Sequence, residues 1–157
     1  MFRAGNYTTS GDVTLQWVQG YTGATTHHLF DFDDANGCPQ VWPNDHTCHA
    51  HDKVTADWTY DNVLAITWPA GSNVSPKLFP LPQIYYQVNA VEWTFMSRYS
   101  ATLTRGKINF RGPTTEYHRD SSTNTPLNGW TDLYSELNSF SATSQSVNYA
   151  TDFTLGF

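Results

Sequence analysis

The chain has 157 residues, enough for one domain and for a real core without help from metals or disulfides. Charged residues make up 14% and aromatics 15%, and the formal net charge is −6 with no Lys/Arg run. That balance argues against sequence-specific nucleic-acid recognition, because a protein that grips phosphates must neutralise them. No stretch approaches 18 apolar residues, so no membrane span is expected. The start, Met1-Phe2-Arg3-Ala4-Gly5, has no apolar region of the signal-peptide kind.

Taken along the chain, strand patterns fall at Asp12–Val18, His27–Phe32, Val54–Tyr60, Val63–Trp68, Ile84–Met96 and Ala101–Phe110. In the second, Phe30 and Phe32 face one way and Asp31 and Asp33 the other. In the fifth, Ile84, Tyr86 and Val88 alternate on one phase and Val91, Trp93 and Phe95 on the other, as a β-bulge would produce. Trp130, Leu133, Tyr134 and Leu137 stand at helical spacing, which predicts a short helix over Trp130–Asn138 with Asn128 as its cap. From Val147 to Phe157 the alternation holds to the last residue, predicting an antiparallel core strand with Val147, Tyr149, Phe153, Leu155 and Phe157 buried. Turn signals separate these runs, at Gly20–Gly23, Asn36-Gly37, Asp61-Asn62, Pro69–Pro82 and the stretch to Asn128-Gly129. The expected fold is a single all-β domain over 1–157: an antiparallel, jelly-roll-like β-sandwich of seven to eight strands with at most one short helix.

The densest chemistry lies between Cys38 and Asp52, where two cysteines, three histidines and two aspartates fall within fifteen positions. Cys38 and Cys48 are the chain's two cysteines and can form one intrachain disulfide. Free thiols, or a zinc site drawing on His46, His49 and His51, are the alternatives, although neither CxxC nor HxxxH spacing is present. Asp31, Asp33 and Asp34 before Asn36-Gly37 look locally like a calcium loop, but the later EF-hand positions fail; the default is a solvated strand face followed by a turn. No cofactor is therefore expected, with calcium and zinc as the two alternatives.

Tryptophans can serve as sugar platforms, a ring face stacking on a pyranose while Asn and Asp bond its hydroxyls. Trp42, between prolines in a loop and beside Asn44 and Asp45, is the first candidate, and Trp130 beside Asn128-Gly129 the second. Trp17, Trp58, Trp68 and Trp93 sit on strand patterns and read as core. No nucleophile elbow, HExxH or phosphate loop occurs, and a non-enzymatic protein is expected.

The run Leu81-Pro82-Gln83-Ile84-Tyr85-Tyr86-Gln87-Val88-Asn89-Ala90-Val91-Glu92-Trp93-Thr94-Phe95 resembles a strand in the jelly-roll coat proteins of small viruses. The resemblance spans about fifteen residues and implies a jelly roll that packs side by side into a shell. The N-terminus lacks the basic arm many such proteins carry for a genome. The expected function is accordingly a self-associating structural protein of the viral capsid or surface type, located on the virion or outside the cell. The alternative is a lectin-like carbohydrate-binding domain. The first predicts a homo-oligomer or assembly, the second a glycan ligand.

Overall fold

The computed structural model describes residues 11–35, 37–40, 48, 58–69 and 78–152, and it overturns the all-β expectation. Among these residues four helices dominate: α1 (Gly11–Ala24), α2 (Tyr60–Thr67), α3 (Gln87–Thr102) and α4 (Pro126–Asn138). Between them run four strands of two or three residues: β1 (Leu29–Asp31), β2 (Leu78–Pro80), β3 (Thr114–Thr115) and β4 (Thr151–Asp152). β1 pairs with β2 and β3 with β4, both in parallel, and a parallel bridge from Gln83 to Thr114 joins the two ladders. The strands thus lie in chain order with helices on the connections, a βαβ rhythm in place of an antiparallel meander. Neither a β-sandwich nor a jelly roll is present among the described residues. None of the described helices is long and apolar enough to cross a membrane.

The predicted strand at Ile84–Met96 is mostly α3, and the segment likened to a coat-protein strand runs into that helix. Its period-two alternation is coincidental. The buried stripe is Asn89, Ala90, Trp93, Met96, Ser97 and Ser100, at spacings of three and four residues. Most of these are small or polar, so a hydrophobic pattern does not reveal them. Their polar groups are satisfied in place: Asn89 accepts from the Tyr86 N–H at 3.0 Å and the Ser97 hydroxyl from the Ile108 N–H at 3.1 Å.

The predicted strand at Val63–Trp68 is α2, a short apolar run that periodicity alone cannot assign. Its N-terminus is marked by a capping box, in which Thr59 accepts from the Asn62 N–H at 3.2 Å and Asn62 from the Thr59 N–H at 3.0 Å. Asp12–Val18 belongs to α1, where only Gly11, Thr14 and Val18 are buried. Ala101–Phe110 completes α3, turns at Gly106 (φ 70°) and continues as irregular backbone. Of Val54–Tyr60, residues 54–57 lie outside the described residues and Tyr60 opens α2. β1 falls inside the predicted His27–Phe32 strand.

The helix predicted at Trp130–Asn138 is present as α4. It begins earlier, with Pro126 in its first turn and Thr125 in place of Asn128 as the cap, accepting from the Asn128 N–H at 3.2 Å. Leu133 and Leu137 enter the core alongside Trp93 and Met96 of α3, Tyr60, Val63 and Leu64 of α2, and Ile84, Ile108 and Phe110. At the C-terminal end, β4 is parallel rather than antiparallel, Tyr149 is 58% exposed, and residues 153–157, including Phe153, Leu155 and Phe157, lie outside the described residues. Of the tryptophans read as core, Trp58, Trp68 and Trp93 are buried, whereas Trp17 is exposed on α1 and stacks on Tyr21.

Gly129 sets how closely α4 approaches the sheet. A Cβ there would stand 2.6 Å from Thr115 Cγ2 and 3.2 Å from the Ile84 carbonyl oxygen. Alanine would gain roughly 1 kcal/mol in helix propensity. The clash outweighs that gain, because one neighbour is backbone and overpacking costs about 1–3 kcal/mol. Gly129→Ala should therefore lower the melting temperature; an unchanged or raised value would show that α4 can shift freely.

Candidate functional site

The sheet has two unlike faces. Leu78, Pro80, Pro82, Ile84 and Phe110 are buried, and Phe110 meets Trp93 of α3 edge to face at 5.7 Å. On the other face, Phe30 of β1 lies 5.3 Å from Phe79 of β2, and the Arg111 guanidinium sits 4.7 Å over the Phe79 ring. His28 meets the same ring edge-on at 4.6 Å. Arg111 is fixed at its backbone, whose N–H donates to the Pro80 carbonyl at 2.9 Å. Asn148, Tyr149 and Thr151, in and before β4, close the far side of an open cleft of about 560 Å³. That volume lies within the range of roughly 300–1,000 Å³ typical of small-ligand sites.

Aromatic surface continues beyond the cleft. Tyr149 lies 6.2 Å from Trp130, which stacks on Tyr134 at 5.2 Å across one turn of α4. The Trp130 indole N–H donates to the Val147 carbonyl at 3.2 Å, tying α4 to the segment that carries Tyr149. Tyr134 and Tyr149 are both well exposed. Trp130 is thus the sugar-platform candidate that the structure places beside other aromatic rings. Trp42, Asn44 and Asp45 lie outside the described residues, as do His46, His49 and His51.

The aspartates before Asn36-Gly37 correct the expectation of a solvated face. Phe30 is 52% exposed while Asp33 is 3% exposed. Asp33 accepts from the Asp34 N–H at 2.8 Å and from the Thr67 hydroxyl at 3.4 Å, and burial pushes the Asp31 carboxyl up to about 6 against the pull of Thr67. Among the described residues no group of three or more His, Cys, Asp or Glu side chains could hold a metal ion. Cys38 and Cys48 form a buried disulfide, so neither is a thiolate ligand.

Two further polar clusters had no signature in the sequence. Glu92 of α3 is buried, and its carboxylate accepts from the Gly37 N–H at 3.2 Å, the Gln40 amide at 3.4 Å and the Asn89 amide at 3.2 Å. It thereby holds the loop that carries Cys38. At the carboxyl ends of β3 and β4, Asp152 accepts from the Thr115 hydroxyl at 2.9 Å, the Tyr117 N–H at 2.8 Å and the His118 N–H at 3.2 Å, with the His118 ring Nδ1 at 2.7 Å. Burial opposes ionisation of Asp152, but these partners outweigh it and hold the carboxyl below its usual range. The pair orients the exposed His118 ring.

The cleft residues come from four segments spread over more than a hundred positions, and parallel pairing brings them together. Local spacing cannot show Phe30, Phe79, Arg111 and Tyr149 as one group. The signal that can find them is the βαβ rhythm, since it aligns successive strands side by side. Comparison of the chain with family models, with curated proteins and with solved structures found no match.

Proposed function

We propose that this domain binds carbohydrate in the cleft over β1, β2 and β4, without turning it over. The observation that carries the reading is the pair of rings, Phe30 and Tyr149, that stand more than half exposed across a cleft also lined by Arg111, Asn148 and Thr151. Exposed ring faces suit the apolar face of a pyranose, and the polar groups suit its hydroxyls. Trp130 and Tyr134 extend the same aromatic surface. Tyr149→Ala should lower affinity on a glycan array at least tenfold and leave the circular dichroism spectrum unchanged, since an exposed side chain contributes little to the core. Binding that survives both Tyr149→Ala and Phe30→Ala would remove the cleft from consideration.

Self-association is a second reading, favoured by the same face. Parallel sheets are ordinarily covered on both sides, and here Phe30 remains 52% exposed against Phe79. A mass that rises with concentration in light scattering, and that Phe30→Asp returns to the monomer value, would support this reading over the first.

A further inference from the structure

We propose that the cleft selects acidic saccharides, with the Arg111 guanidinium pairing with a sugar carboxylate. This inference rests on the carbohydrate reading and names the ligand class within it. The chain carries 14 Asp and Glu against 8 Lys and Arg, so an arginine would readily find an internal partner. Among the described residues, the Arg111 side chain has neither a carboxylate partner nor a hydrogen bond; its contact is the Phe79 ring at 4.7 Å. That contact orients the guanidinium plane while leaving its N–H edge available. A planar fork of donors matches a carboxylate bidentately, which an ammonium or an amide does not.

The surroundings fit such a ligand. Phe30 and Tyr149 offer ring faces to the sugar, and Asn148 and Thr151 lie on the cleft wall within the same space. The backbone beneath is preorganised: the Arg111 N–H bonds Pro80 and the Thr151 N–H bonds the Pro113 carbonyl at 3.0 Å. Net charge of −6 repels long polyanions, so one or two acidic units at the cleft suit this protein better than an extended acidic polymer.

The test is an array of matched oligosaccharide pairs, each uronic-acid oligomer beside its methyl ester, probed with wild type, Arg111→Gln, Arg111→Lys and Tyr149→Ala. A charge-assisted pair is worth roughly tenfold to a hundredfold in affinity. Wild type should prefer the acid over its ester by about that factor, and Arg111→Gln should bring the acid-to-ester affinity ratio down to about one, whatever it does to the ester itself. Arg111→Lys should keep only part of the preference, and it carries the test if Arg111→Gln fails to fold. Equal binding of acid and ester, or a preference that survives both Arg111 variants, would overturn acid selection. If Tyr149→Ala still abolished binding in that case, the carbohydrate reading would stand. If wild type bound no member of any pair, both would fall.

Discussion

Trp93→Ala should produce the largest loss of stability of any single substitution in the buried stripe of α3. Trp93 is 0% exposed, sits at the centre of that stripe and meets Phe110 edge to face. Truncating a buried Trp typically costs about 3–5 kcal/mol, from lost transfer energy plus the cavity left behind. One term works the other way: the indole N–H of Trp93 is buried without a hydrogen-bond partner among the described residues, and removing an orphan donor recovers part of the loss. For a domain of this size a net loss of about 3 kcal/mol lowers the melting temperature by roughly 10 °C. Trp93→Phe, which removes the orphan donor and keeps a ring, should cost less than half as much. A melting curve for Trp93→Ala within two or three degrees of wild type would show that α3 does not anchor the core.

Stability should fall as pH rises from 5 to 8, and Glu92 should account for most of the slope. Burial pushes its carboxyl up from an ordinary value near 4.5 to about 7; the Asn89, Gly37 and Gln40 donors pull it down, and the nearby Asp34 charge adds to the rise. Tyr60 is pushed up as well, by its own burial first and by Glu92 second. A folded-state value above the unfolded one means that the native fold favours the protonated acid. Its contribution is complete below about pH 4.5 and is lost as pH rises through 7. The shift corresponds to about 3 kcal/mol. Asp31, raised from 3.8 to about 6, acts in the same direction at lower pH. Glu92→Gln, a neutral side chain of the same shape, should flatten the slope between pH 6 and 8 and melt above wild type at pH 8. Parallel pH profiles for variant and wild type would place the titrating group elsewhere.

Whether an element can be read from sequence depends here on whether its buried face is apolar. α4 is legible because Leu133 and Leu137 stand four apart beside Trp130 and Tyr134, a strong helical signature. The disulfide is legible as the single intrachain pairing the composition allows, although spacing cannot decide between bridge, thiols and metal. α3 is not legible, because its interior face is built from Asn89, Ala90, Ser97 and Ser100, and its valines and aromatics mimic alternation. The strands are legible in part, since β1 falls within the His27–Phe32 pattern and β4 within the Val147–Phe157 pattern, but their bounds and pairing are not. With two or three residues each, they are too short to carry a periodic signal, and parallel order is a property of segments far apart. Of the candidate sites, Trp130 stands out in the sequence for a turn signal at Asn128-Gly129 that is in fact the first turns of α4, whereas the Arg111 cleft depends wholly on that long-range order.

The chain-order parallel arrangement also governs how the protein must fold. β1 joins β2 through a pairing of Leu29 with Leu78, and β3 joins β4 through Thr114 with Thr151. No ladder can begin until the ends of a long connection have met, and that loop-closure entropy is spent before the first inter-strand bond returns anything. Two or three residues per strand return little when it forms. Helical packing, of α2 within the first connection and of α4 within the second, is what can hold those ends close. Late closure of the ladders, and with them of the cleft above, is the order expected from such long-range pairing.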